Sequence, residues 1–327
     1  MKSLLCPTLC CLFLVLLTSG CLTRRPDTQV RPLTSQEQQA FFSRAQDERR
    51  FWMTRYETDQ GPIFTGAHRV HSDRFAQVAF SQARRSSVPM IPVRLRFQED
   101  HEALIDTSSP VSWIQFGPAV REGVIPIGPP PHRMFAAHVN DPIPGFLSVA
   151  SRLTISPINV ETTLLYVKAA HGPLEYLQRH STAPAATIVL GSEFIRAFQF
   201  VQINFPARMA TFSTTTTFTP DSDRLIASVP LQSYYGILAV KGLLDDLETP
   251  FLLDSLGDYA LATEHGGNTV RHMSIGDLVF RNVESTSMEQ AGLGLEEIPR
   301  IGRRILERFS VTFDAEQALV HFERPAE

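Results

Sequence analysis

The sequence predicts a mainly β protein whose body is built twice over, behind one N-terminal helix. Three observations predict it. From about residue 87, short runs alternate apolar and polar residues, as in VPMIPVRLRF, with turn-like stretches such as QEDHE between them. Long helical patterns are few in the body, which implies sheet packed on sheet. Three segments also recur in the same order. IPVRLRFQEDHEALID parallels ILAVKGLLDDLETPFLLD, RLTISPINVETTLL resembles HMSIGDLVFRNVEST, and TIVLGSEFIRAFQFVQINFPARMATF resembles PRIGRRILERFSVTFDAEQALVHF. In each tail a glycine, Gly191 or Gly302, opens a short helix ending at Phe198 or Phe309. A strand, a turn and a last strand ending at Phe212 or Phe322 follow.

The N-terminus starts with Lys2 and a mostly apolar stretch from Leu4 to Leu17, then Thr18-Ser19-Gly20-Cys21. Residues 1–20 read as a signal peptide, short for a spanning helix. Small residues directly before a cysteine resemble the bacterial lipobox, although Thr18 stands where that pattern usually has Leu. The resemblance implies lipidation at Cys21, a lipid-anchored protein facing the periplasm and, with Leu22 next, the outer membrane. A plain signal peptide with an incidental cysteine is the other reading. Cys6, Cys10 and Cys11 lie inside the signal, so the mature domain forms no internal disulfide and depends on its apolar core.

Residues 21–86 form a tether and helix region. Residues 22–34 are polar and Pro-containing. Residues 35–56 read as an amphipathic helix capped by Thr34 or Ser35, with Phe41, Phe42, Ala45, Phe51 and Trp52 near one stripe. Two lobes follow, 87–213 and 214–327, joined through a Thr-rich bridge over 213–229. The composition of the 327-residue chain is ordinary and globular, with 43% hydrophobic residues, 20% charged residues and a formal charge of −4. No basic patch with interleaved aromatics points to nucleic acid. No Gly-rich phosphate loop is present.

The repeated feature with chemical content is an acid at the end of an apolar strand. Ala103-Leu104-Ile105 runs into Asp106, Thr107 and Ser108; Phe251-Leu252-Leu253 runs into Asp254, Ser255, Leu256 and Gly257. A carboxylate leaving water without a partner is costly, so each acid needs one. Two Asp-hydroxyl motifs, each followed by an apolar-Gly-helix-strand closure, resemble the pepsin and retropepsin aspartic proteases over roughly residues 87–325. DSLGD is more retropepsin-like than pepsin-like. The resemblance implies two acid-protease-like β-barrel lobes related by a pseudo-twofold axis. Asp106 and Asp254 would share a catalytic water and one proton, and Thr107 and Ser255 would bond across to the opposite lobe. Gly191 and Gly302 would thread behind the active loops. It implies an extended peptide or protein substrate, no metal, no organic cofactor, and a monomer, since two fused lobes need no dimer.

The third motif position departs from the family, which carries Gly where this chain has Ser108 and Leu256. Leu256 could fill substrate space or twist the loop, and Gly257 could absorb the strain. Two readings therefore stay open: a peptide-hydrolysing enzyme, and an inactive lipoprotein that binds peptides or an envelope partner. Between Asp106 and Gly191 there are 85 positions, against 48 between Asp254 and Gly302. The spare chain in the first lobe suggests a flap, with Asp141-Pro142-Ile143-Pro144-Gly145 as its tip.

Rival constellations are weaker. His68-Arg69-Val70-His71 has HxxH spacing without the general-base pattern or further ligands, and reads as solvent-exposed histidines. No GxSxG elbow appears. Asp245-Asp246 reads as a solvated turn, and Arg303-Arg304 as a solvated helix face.

Overall fold

The computed structural model describes residues 30–58, 61–70, 74–81, 88–96, 100–128, 132–134, 143–174, 186–267, 269–291 and 298–326. The signal region, Cys21 and the tether up to residue 29 lie outside the described residues. So do Asp141 and Pro142 at the expected flap tip, and His71.

The body is mainly β, and eighteen of its described strands fall into two sets of nine. The first set is β1 (Phe75–Ala79), β2 (Met90–Arg94), β3 (Asp100–Ile105), β4 (Trp113–Ile114), β5 (Ile143–Ile155), β6 (Ile158–Lys168), β7 (Ile188–Leu190), β8 (Phe200–Asn204) and β9 (Met209–Ser213). The second is β10 (Leu225–Pro230), β11 (Ile237–Leu244), β12 (Leu247–Leu253), β13 (Leu261–Thr263), β14 (Thr269–Ile275), β15 (Leu278–Ser287), β16 (Arg300–Ile301), β17 (Ser310–Asp314) and β18 (Leu319–Glu323).

The pairing scheme is the same in both sets. In the first, β6, β4, β7, β3, β2 and β5 are neighbours in that order, and β5 pairs back onto β6. In the second, β15, β13, β16, β12, β11 and β14 follow the same order, and β14 closes onto β15. Each is a closed six-stranded ring. Parallel and antiparallel contacts match one for one: β7 lies parallel to β3 and antiparallel to β4, as β16 does to β12 and β13. The remaining strands form a six-stranded sheet in the order β10-β18-β17-β8-β9-β1, which exchanges its halves when read from either end. At its centre β8 pairs antiparallel with β17, Val201 opposite Phe313 and Ile203 opposite Val311.

This sheet joins the two halves through one apolar core. A single buried cluster holds Ile105, Ile114 and Leu190 of the first ring, Leu253, Leu261 and Ile301 of the second, and Val201, Phe212, Val311 and Phe322 of the shared sheet. Burying each such side chain contributes about 1.5–3 kcal/mol. Phe194, Phe198 and Phe212 stack in sequence, centroids 5.4 and 5.1 Å apart, behind the first-half loop.

Part of the spare chain of the first half becomes added strands, since Ile125–Pro126 and His132–Met134 pair with β5. Arg69–Val70, from before the lobe, pairs with β6. Residues 143–145 therefore start a long strand whose partner is His132–Met134. Gly145 sits on the indole of Trp113, where a Cβ would come within 2.9 Å of the ring.

The N-terminal region corrects the expectation of one helix over 35–56. Helix α1 spans only Ser35–Phe42, with Thr34 and Glu37 forming a reciprocal capping box. Asp47 then caps a separate 3₁₀ turn, Glu48–Phe51; Trp52 takes φ 54°, and the chain turns into a strand at Thr54. The apolar stripe is thus divided. Phe41 packs on Phe116 and Phe146, Phe51 enters a different cluster, and Trp52 is 72% exposed. β structure also begins before residue 87, since a hairpin joins Thr54–Thr58 to Gly61–Thr65 and β1 pairs with β9. The bridge expected over 213–229 is shorter, because β10 starts at Leu225. No helix among the described residues is long and apolar enough to cross a membrane.

Candidate active site

Each apolar strand carrying an Asp, β3 or β12, ends beside a short strand from the same ring. Asp106 N donates to Leu190 O and Asp254 N to Ile301 O, both at 2.9 Å. Immediately beyond, Gly191 and Gly302 pass behind the loops. A Cβ on Gly191 would lie 2.4 Å from Val111 O, and one on Gly302 would lie 2.3 Å from Tyr259 O. Both glycines have extended backbone, so their need is close approach rather than a left-handed conformation. They cap short helices, α2 (Ser192–Ile195) and α3 (Arg303–Leu306), whose first residues bond the loops. Ser192 N donates to Ser109 O and Arg303 N to Gly257 O, both at 2.8 Å.

The two loops are latched to each other. Thr107 Oγ1 donates to Leu253 O at 2.7 Å, and Ser255 Oγ donates to Ile105 O at 2.7 Å. Each hydroxyl also accepts from the opposite backbone: Thr107 N to Ser255 Oγ at 3.1 Å, and Ser255 N to Thr107 Oγ1 at 3.0 Å. Four reciprocal bonds in a fully buried setting fix the position of one Asp relative to the other. Asp106, Thr107, Ser108, Asp254 and Ser255 are all 0% exposed.

The carboxylates differ in their donors. Asp106 Oδ1 accepts from Ser108 N at 3.0 Å and Ser108 Oγ at 2.7 Å. Asp254 Oδ1 accepts from Leu256 N at 3.0 Å and Gly257 N at 2.8 Å, and its Oδ2 accepts from Tyr259 OH at 2.5 Å. Burial, with the charge of Asp254 second, pushes the Asp106 carboxyl up to about 7, against the pull of the Ser108 bonds and the Arg300 charge. Burial and the Asp254 charge raise the Tyr259 phenol well above its usual value, so it keeps its proton.

The residues at the third motif position have definite places. Neither Ser108 nor Leu256 has a positive φ. Ser108 bonds Asp106, and Leu256, 1% exposed, belongs to the apolar cluster that holds Trp113, Tyr166, Leu147, Phe51 and Met53. Gly257 does not absorb strain through an unusual dihedral. It makes room, because a Cβ there would lie 2.5 Å from the Tyr259 ring and 2.7 Å from Asp254 Oδ2.

Three groups here escaped sequence reading. Tyr259 directly follows DSLGD, five residues past Asp254, and an aromatic hydroxyl that close was the available signal. Arg300, 0% exposed, occupies β16 beside Leu252, and its charge in a run leading to Ile301 and Gly302 is the same signal that singled out Asp106. Glu193 on α2 accepts from Ser112 N at 2.5 Å, while Ser112 Oγ accepts from Gly191 N at 2.9 Å. Burial raises Glu193 to about 7.

Two surface expectations are corrected. His68 is 8% exposed rather than solvated, lies edge-on to Phe194, and burial lowers it to about 4. Arg303, the first residue of α3, is buried, 6% exposed, against Asp258 and Glu307; Arg304 is on the surface as expected. Asp245 and Asp246 form an exposed turn between β11 and β12. Among the described residues no group of three or more His, Cys, Asp or Glu is arranged to hold a metal ion. No protein-family model and no curated protein matches this chain.

Proposed function

We propose that this protein is an aspartic endopeptidase built on two acid-protease-like lobes related by a pseudo-twofold axis. In the same reading a lipid on Cys21 anchors it to the periplasm-facing side of a bacterial outer membrane, as a monomer. The observation that carries the reading is the reciprocal latch between Thr107 and Ser255, which holds two buried acids in matched loops. Such a pair cannot easily ionise twice, so it shares one proton. Asp254, with three donors, is suited to be the carboxylate; Asp106, raised toward neutrality, is suited to keep the proton.

In the reaction Asp254 takes a proton from a water whose oxygen attacks the peptide carbonyl carbon. Asp106 gives its proton to the carbonyl oxygen, forming a neutral gem-diol. Collapse of the diol moves a proton to the amide nitrogen, breaks the C–N bond and restores one proton to the pair. The substrate lies extended across the loops, recognised through its backbone.

Ser108 and Leu256 favour a second reading. Leu256 and both carboxylates are buried, which suits a peptide- or partner-binding lipoprotein that does not hydrolyse. Incubation of the full chain with a denatured protein from roughly pH 3 to pH 7.5 separates the two, a range spanning the ordinary carboxylate value and neutrality. Cleavage blocked by a statine-type inhibitor and reduced at least ~100-fold by Asp106→Ala is the expected result. Intact peptides with retained binding favour the second reading.

A further inference from the structure

The two halves share a backbone plan but not the residue behind the acid. A side chain on Gly191 would meet Val111 O, and one on Gly302 would meet Tyr259 O, so Val111 and Tyr259 occupy matching places. Val111 carries no donor for Asp106. Tyr259 reaches Asp254 Oδ2 at 2.5 Å. The second loop is also cleared for the ring. Added Cβ atoms on Gly257 and Gly302 would each lie 2.5 Å from Tyr259 ring carbons, whereas the first loop carries Ser109 where Gly257 stands. Arg300 repeats the pattern, since the residue matching it in β7 is Val189.

We propose that Tyr259 is a positioning residue that fixes Asp254 as the ionised member of the pair and leaves the shared proton on Asp106. The consequence for turnover rests on the endopeptidase reading; the proton placement does not. A donor bonded to a carboxylate stabilises its charged form and resists protonation. The phenol is thus a donor to Asp254 where the matching place beside Asp106 holds Val111, and it makes the matched acids unequal. Among the described residues, Asp106 on the opposite loop feels the charge of Asp254, Tyr259 on its own loop bonds it, and the charge of Arg300 on β16 acts on both Asp106 and Tyr259. Asp258 and Arg303 are turned toward each other, 3.5 Å apart.

Removing the phenol oxygen takes away support for the charged form, so the Asp254 transition must move to higher pH. The test is carbon NMR titration of Asp carboxyls in the full chain in detergent, with Asp106→Asn as background so that Asp254 titrates without its twin. Tyr259→Phe keeps the ring and is expected to raise the Asp254 transition by roughly one to two pH units. In the Asp106 protein the acidic limb of kcat moves in the same direction, with KM little changed. An unmoved transition, even with lowered stability or activity, overturns the proposal and leaves the tyrosine a packing role. A moved transition in a protein that cleaves nothing upholds the proton placement and removes the endopeptidase reading. Should Tyr259→Phe not fold, 3-fluorotyrosine labelling supplies a stronger donor and is expected to lower the same transition; no change there is equally fatal.

Discussion

The loop after Asp106 and the loop after Asp254 sit in identical pairing schemes but are braced by opposite charges. On α2, Glu193 accepts from Ser112 N in the first loop. On α3, Arg303 and Arg304 engage Asp258 in the second, at 3.5 and 3.3 Å. What the halves keep is backbone: Leu190 O and Ile301 O as acceptors, the glycines behind the loops and the crossed hydroxyls. What they have changed is side-chain chemistry. The common features therefore set where the acids stand, and the divergent ones set how each acid behaves.

Mutations at the common features test the first half of that statement and carry the largest effects. Gly191→Ala and Gly302→Ala each drive a Cβ into a backbone oxygen and are expected to cost about 3 kcal/mol or more, measured by urea unfolding. The costs should be alike in the two halves. Gly257→Ala should be nearly as damaging, because the Tyr259 ring and Asp254 Oδ2 fill that space. Ser109→Gly at the matching place removes only the hydroxyl bond to Val111 O and should cost about 1–2 kcal/mol. Next in size is the latch. Thr107→Val or Ser255→Ala leaves one buried N–H and one buried C=O without its partner, for on the order of 2–4 kcal/mol. The double variant should cost less than the sum, since the four bonds form one network.

The repeat was legible because its signals are local. An apolar run ending in Asp, a hydroxyl after it, and a glycine opening a short helix each survive in a window of a few residues. Thr107 and Ser255 were read correctly as crossing hydroxyls through the family resemblance, and the bonds are there. The helix over 35–56 was misread because its apolar residues serve two different clusters. Spacing alone does not reveal the break that Asp47 and the left-handed Trp52 impose. Arg300, Tyr259 and Glu193 were illegible for another reason. Their partners are set by pairing of β16 with β12, by a cleared space at Gly257, and by the docking of α2 on Ser112, none of which leaves a periodic trace. His68 was read as solvated because a lone polar residue carries no sign of the Phe194 face above it.

A smaller effect with a definite pH signature separates the acids themselves. Asp106 is raised to about 7 in the fold against about 4 unfolded. The folded state thus binds its proton more tightly, and stability is greatest below the unfolded value and lost as pH rises through about 7. Asp106→Asn removes that loss. It should unfold at a higher temperature than the parent at pH ~8, by on the order of 2 kcal/mol, with the gain gone at pH ~4. Asp254→Asn should show a smaller gain, limited to the part of the Asp106 rise that the Asp254 charge causes, because its own donors already favour the charge it would lose.

The smallest effects compare the braces. Glu193→Ala leaves the part-buried Ser112 N–H without its acceptor and should cost about 1–3 kcal/mol. Glu193→Gln keeps an acceptor and sheds a carboxyl held up at about 7, so it should match the parent in acid and exceed it above neutrality. Arg304→Ala breaks contacts to Asp258 and Glu284, but Arg304 is 49% exposed and its partners 44% and 75%. Solvent screens such pairs, and the cost should stay below about 0.5 kcal/mol. Chemical denaturation of the two alanine variants decides whether the braces differ in kind. If Arg304→Ala cost as much as Glu193→Ala, the inverted charges would be interchangeable supports and the halves would differ only behind Asp254.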